Sequence, residues 1–151
     1  MKDQSDIVLI QDRIGYIFGD VQLLRTAFVQ PSYAHDNDID SYDRLEHLGD
    51  SVLGLCTTKY LYNEHKQDKV DNLTERRKEI VSNKSLAIVF DKLALGQFAQ
   101  LSKNQQLNDT IKSDIVEALI GAIYLDSQQQ HDTRLVYDWI VNNVITVELL
   151  P

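Results

Sequence analysis

Asp114-Ile-Val-Glu117-Ala-Leu-Ile-Gly121-Ala-Ile-Tyr-Leu-Asp126 is the stretch on which the architecture turns. At about 100° per residue, Ile115, Val116, Leu119, Ile120, Ala122, Ile123 and Leu125 cover nearly every direction around a helix. A helix that is apolar almost all round belongs in a core. Asp114 and Glu117 share one face of it, and Gly121 lies in the same angular notch, where it leaves space. Two carboxylates in a narrow notch of a core helix are hard to explain as solubility residues. Buried unpaired charge is costly and calls for a cation, a proton or a strong partner.

Upstream, Asp43-Arg-Leu-Glu46-His-Leu-Gly-Asp50-Ser-Val-Leu53 reads as a second acidic helix. Asp43, Glu46 and Asp50 fall within roughly a 60° wedge, with Leu45, Leu48, Val52 and Leu55 on the far side. Only Asp50 and Ser51 are polar between Leu48 and Cys56, which predicts that Asp50 is substantially buried. Gly49 costs about 1 kcal/mol against Ala in a helix interior, and a close backbone approach is one reason to keep it. With the two helices side by side, Glu46, Asp50, Asp114 and Glu117 converge into an oxygen-only site. Such a donor set suits Mg²⁺ or Mn²⁺ and not zinc, which favours His and Cys. Hard cations on clustered carboxylates commonly serve phosphate chemistry. The competing reading is an inert acidic cluster neutralised by Arg44, Arg76 or Arg77, and the pattern alone leaves both open.

The rest of the chain supports an all-α domain of about six to eight helices, because apolar residues recur mostly at helical spacing and nothing reads as a strand. Ile7, Ile10 and Ile14 mark a first helix ending near Gly15. Asp20 caps a second over Val21–Phe28, which stops before Pro31. His35–Ser41 reads as a polar loop, and Ser41 as the cap of a long helix over Tyr42–Asn63. Glu64–Asp71 is a charged connector to helices near Asn72–Ser82 and Lys84–Leu93, with Gly96 closing that region. After a polar loop over Ser102–Asp109, a helix starts near Thr110 and runs to about Asp126. Thr133–Leu149 closes the chain, with Leu135, Trp139 and Ile140 facing the core. The 151 residues fit one domain with no internal repeat. Six glycines and two prolines are few for the turns of an all-β design. One cysteine, Cys56, excludes an internal disulfide, suits a reducing, intracellular compartment and reads as an inert core thiol. No apolar run approaches the length of a membrane span. A net charge of −8 disfavours a free-standing nucleic-acid binder but leaves room for a metal-dependent enzyme, whose cations invert the local field.

These residues resemble the ribonuclease III family. Asp43–Leu53 is similar to the family's signature, usually written with Glu first and Phe in place of His47. Asp114–Asp126 is similar to its second acidic motif, and the spacing between the two fits. The region near Val29–Ser32, the Leu73–Leu86 helix pair and the closing helix have counterparts too. The resemblance implies an all-α endonuclease domain, normally a homodimer, that cuts double-stranded RNA with Mg²⁺ (Mn²⁺ can substitute) and no small-molecule cofactor. It further implies 5′-phosphate and 3′-hydroxyl ends with short 3′ overhangs, and a cytoplasmic place in RNA processing. By position, Glu46, Asp50, Asp114 and Glu117 match the acidic residues of the catalytic and metal centre. Glu46, Asp114 and Glu117 would be ligands, and Asp50 and Glu117 stand where the family's catalytic roles lie. Asp43 keeps the charge of another family Glu at shorter reach.

Three departures stand out. His47 replaces an aromatic that in the family helps lock the dimer. Val29-Gln30-Pro31-Ser32 replaces Thr-His-x-Ser. Ile111-Lys112-Ser113 replaces Ile-Leu-Ala, and Lys112 is expected in solvent. The chain is expected to be one nuclease domain over residues 1–151, without the family's double-stranded-RNA-binding domain. A different class of function, a non-catalytic RNA-binding or ribonucleoprotein structural relative, typically loses acidic residues at these positions, and all four are present.

Weaker signals point elsewhere and fail. Asp36-x-Asp38-x-Asp40 begins like an EF-hand loop, but Ser41 and His47 stand where Gly and Glu are needed. No Glu-x-x-His supports a di-iron bundle. His131-Asp132 reads as a helix cap. Tyr60, Tyr62 and Trp139 show no stacking-platform spacing and read as core. Arg76, Arg77 and Lys78 are candidate phosphate contacts, with duplex RNA read by A-form shape and 2′-hydroxyls.

Overall fold

Capping chemistry sets most of the helix boundaries in the computed structural model, which describes residues 3–132 and 134–146. Helix α1 (Gln4–Ile14) starts at Asp3, whose carboxylate accepts the Asp6 amide, and stops at Gly15 in the left-handed conformation. Helix α2 (Val21–Ala27) is capped by Asp20 through the Gln22 amide. Ser41 Oγ accepts the Asp43 amide as the chain enters the long α4 (Asp43–Glu64). Helices α5 (Val70–Ile80) and α6 (Asn83–Lys92) follow, the latter capped by Ser82. A short 3₁₀ turn at Gly96–Phe98 leads to the polar loop before α7 (Asp109–Gln129), which Asn108 caps through the Ile111 amide. The described chain closes on α8 (Leu135–Ile140) and a π-helical turn at Val141–Ile145. Thr133 and residues 147–149 of the expected closing helix lie outside the described residues.

One helix escaped the sequence reading. His35–Asn37 end helix α3 (Pro31–Asn37) and do not belong to a loop. Pro31 is a helix opener here, with the Gln30 side chain accepting the Ser32 amide in place of a Ser or Asp cap. The same corner carries an isolated β-bridge between Val29 and Gln100, with no strand among the described residues.

The core forms around α7. Ile115, Val116, Ala118, Leu119, Ile120, Ala122 and Ile123 are all fully buried, as expected of a helix apolar on every side. Leu125 departs from that pattern and reaches the surface. Helix α4 is the principal partner of α7, followed by α6. At the far end of α7, Asp126 is 0% exposed. Its carboxylate accepts from the Tyr16 hydroxyl, the Gly19 and Asp20 amides and the Gln130 side chain, tying α7 to the α1–α2 turn. Such a buried charge is tolerable because every face of it is hydrogen-bonded. Trp139 packs as expected, its indole N–H donating to the Ile14 carbonyl, whereas Leu135 is half-buried.

Candidate metal centre

Helices α4 and α7 meet backbone to backbone. A Cβ built on Gly49 would stand 1.7 Å from the Glu117 carbonyl oxygen, and one on Gly121 would stand 2.2 Å from the Leu45 carbonyl oxygen. No side chain fits at either place. Two glycines therefore let the turn carrying Glu46 and Asp50 lie directly against the turn carrying Asp114 and Glu117. The close approach read from Gly49 is present, and Gly121 is its reciprocal partner.

Electrostatics report the resulting crowding. Burial, then the Asp114 and Asp43 charges, pushes the Glu46 carboxyl up to about 7. Burial, then Asp50, Glu46 and Asp114, pushes Glu117 up to about 8. Burial raises Asp114 as well, against hydrogen bonds from Tyr42 and Glu46 that lower it. A hydrogen bond between the two carboxyl groups raises Glu46 and lowers Asp114, the behaviour of neighbouring acids crowded into one site.

The arginines of the competing reading form no ion pair with this cluster: among the described residues, no arginine or lysine pairs with Glu46, Asp50, Asp114 or Glu117. Arg76 pairs with Asp68 at 2.7 Å, Arg77 reaches the Thr58 hydroxyl at 3.4 Å, and Arg44 is exposed. Lys112 is not loose in solvent as expected, because its ammonium sits 3.0 Å from Asp91 and its side chain is mostly covered.

Asp50 is a correction. It is exposed, at the rim of the notch, because α4 turns its Ser51 and Leu55 side outward as well. Its charge still bears on Glu117. Leu55 is 72% exposed and Tyr62 is 74% exposed, so neither belongs to the core expected of them. Asp43 and His47 also face solvent. Cys56 is buried, which pushes its thiol up and keeps it unreactive.

The donor set fits a hard divalent cation. It is all oxygen, partly desolvated, mutually repelling and without a basic partner. Among the described residues, no three His, Cys, Asp or Glu side chains stand as a ready-made cation cage. Sequence reading missed Tyr42, which it took only as the start of a helix. Its hydroxyl donates to Asp114 Oδ2 at 3.1 Å. Burial, with the neighbouring Asp114 charge, raises the phenol far above its ordinary range, so it stays a donor.

Comparison with known proteins gives the family. Residues 43–128 match the ribonuclease III domain family. A Clostridium botulinum protein named Ribonuclease 3 is 40% identical over 123 residues, covering 78% of this chain and 53% of that protein. The Clostridium perfringens protein of the same name is 39% identical over 149 residues, covering 95% and 61% respectively. The chain therefore spans only a little over half the length of these curated relatives. Among solved structures, a nuclease domain of ribonuclease III from Campylobacter jejuni is similar at TM-score 0.79 and 30% identity, covering 91% of this chain and 97% of that one. That structure is described as flexible in a region involved in dimer formation.

Proposed function

The chain belongs to the ribonuclease III family, and on that footing we propose that it is a divalent-metal-dependent endoribonuclease acting on double-stranded RNA. The observation that carries this reading is the close α4–α7 crossing at Gly49 and Gly121, which lays the turn bearing half-buried Glu46 against the turn bearing half-buried Asp114 and Glu117. Glu46, Asp114 and Glu117 are the residues to hold the metal, Mg²⁺ in the cell with Mn²⁺ able to replace it, and Asp50 completes the set from the rim. When bound, the metal polarises the phosphoryl oxygens, neutralises charge developing on them and lowers the pKa of a water. Asp50 and Glu117 orient the attacking water and accept its proton. Water oxygen bonds to phosphorus, the P–O3′ bond breaks, and the leaving oxygen takes up a proton. The products are a 5′-phosphate and a 3′-hydroxyl.

A homodimer is part of the same proposal. Exposed Leu55 and Tyr62 on α4 offer apolar area that a second copy would cover. A cytoplasmic location fits a chain with one cysteine in which no described helix is long and apolar enough to cross a membrane.

The test incubates a defined RNA duplex with the purified chain, with and without Mg²⁺, and reads the product ends. Cleavage only with the metal, leaving 5′-phosphate ends, is expected. Asp50→Asn and Glu117→Gln are each expected to lower cleavage at least a hundredfold with the helical circular dichroism spectrum retained. Full activity in both variants would remove the assignment. Duplex binding without cleavage in either Mg²⁺ or Mn²⁺ would favour the non-catalytic relative.

A further inference from the structure

We propose that Tyr42 is a positioning residue that sets the orientation of the Asp114 carboxylate toward the metal, an inference that rests on the reading of this notch as a cation site. Three observations converge on it. The Tyr42 ring is 2% exposed, packed at the entrance to α4. Its backbone amide donates to the Val29 carbonyl at 2.8 Å, pinning it to the corner between α2 and α3. Its hydroxyl then crosses to α7 and donates to Asp114 Oδ2 at 3.1 Å. Asp114 has two side-chain torsions with which to aim two oxygens. A neutral, buried donor fixed on Oδ2 restrains the rotation of the carboxylate and so holds its direction toward a cation. Supporting partners of this kind raise metal affinity by pre-orienting the ligand, and their loss costs about ten- to a hundredfold.

The same turn of α7 carries an internal comparison. Ser113, fully buried, donates to Asn83 Oδ1 at 2.9 Å and fastens α7 to the start of α6 without touching a carboxylate. A general stiffening of this turn would make Ser113 and Tyr42 equivalent. A specific role in aiming Asp114 would not.

The experiment titrates Mn²⁺ into the full chain and reads free Mn²⁺ by electron paramagnetic resonance, with the metal-free thermal midpoint measured on the same samples. Tyr42→Phe keeps the ring and removes the hydroxyl, and it is expected to weaken Mn²⁺ binding about tenfold. Ser113→Ala is expected to lower the thermal midpoint and leave Mn²⁺ affinity within about twofold of the parent. Unchanged affinity in Tyr42→Phe, equal losses in the two variants, or a Tyr42→Phe chain that does not fold would each overturn the positioning role. Asp114→Asn separates the two levels of inference. If it binds Mn²⁺ as tightly as the parent, the cation site itself is misplaced and both readings fall. If Asp114→Asn loses the ion while Tyr42→Phe keeps it, only the role of Tyr42 is lost.

Discussion

Glu117 and Glu46 are single residues whose environment has a measurable consequence for stability. Their folded-state values of about 8 and about 7 lie above the ordinary Glu value of about 4.3. The folded chain therefore holds protons that the unfolded chain has already released. In the metal-free protein the contribution of these groups is intact below about pH 4.5 and is lost as pH rises through the folded values. The thermal midpoint measured without metal is expected to fall between about pH 5 and about pH 8, and Glu117→Gln is expected to flatten that fall. At the alkaline end the variant should melt above the parent, and adding Mg²⁺ should raise the parent and not the variant. A midpoint in Glu117→Gln that follows the parent across the range would show that the carboxyl is well solvated. Thr57 makes a second residue-scale case. It is 0% exposed and its hydroxyl finds no partner among the described residues. Thr57→Val removes an unpaired buried hydroxyl at nearly constant shape, and denaturant unfolding should show a gain of about 1 kcal/mol.

At the scale of elements, the crossing of α4 and α7 decides whether a site exists at all. Glycine at 49 and 121 is required by the opposing carbonyl oxygens. Gly49→Ala and Gly121→Ala must push the helices apart, and each is expected to cost about 3 kcal/mol in chemical denaturation, the upper end of overpacking effects. Because the acidic turns separate with the helices, metal affinity should fall as well. Gly54, on the same helix, has nothing within 4 Å of a built Cβ. Gly54→Ala should instead stabilise by about 0.5–1 kcal/mol, through helix propensity and reduced freedom of the unfolded chain. Equal responses at Gly49 and Gly54 would contradict the close approach. The elements also mark how far the sequence could be read. Helix α7 was legible because apolar residues on every side admit one location, and α1 because Ile7, Ile10 and Ile14 repeat on one face and Gly15 ends it. Helix α3 was not, since Gln30 is an uncommon cap and the polar run from His35 to Ser41 looks like any acidic loop.

For the whole molecule, charge bears on the proposed RNA substrate. A net charge of −8 leaves few cations to neutralise phosphates. Two of the candidates are already engaged, Arg76 with Asp68 and Lys78 with Glu75. The chain should bind duplex RNA weakly, with a shallow dependence of affinity on salt in an anisotropy titration. A steep slope, the sign of many released counterions, would contradict this.

The amino-acid order by itself determined the helical class and the core identity of α7, because periodicity and burial cost are properties of local sequence. It also offered a close backbone approach as one reason for Gly49, since a helix keeps an interior glycine at a cost. Only the tertiary structure decided that Gly121 answers Gly49, that Asp50 lies at the rim and not in the interior, and that Tyr42 reaches across to Asp114. Those facts depend on which face of one helix meets which face of another. That pairing joins residues 72 apart in the chain, and no local pattern encodes it.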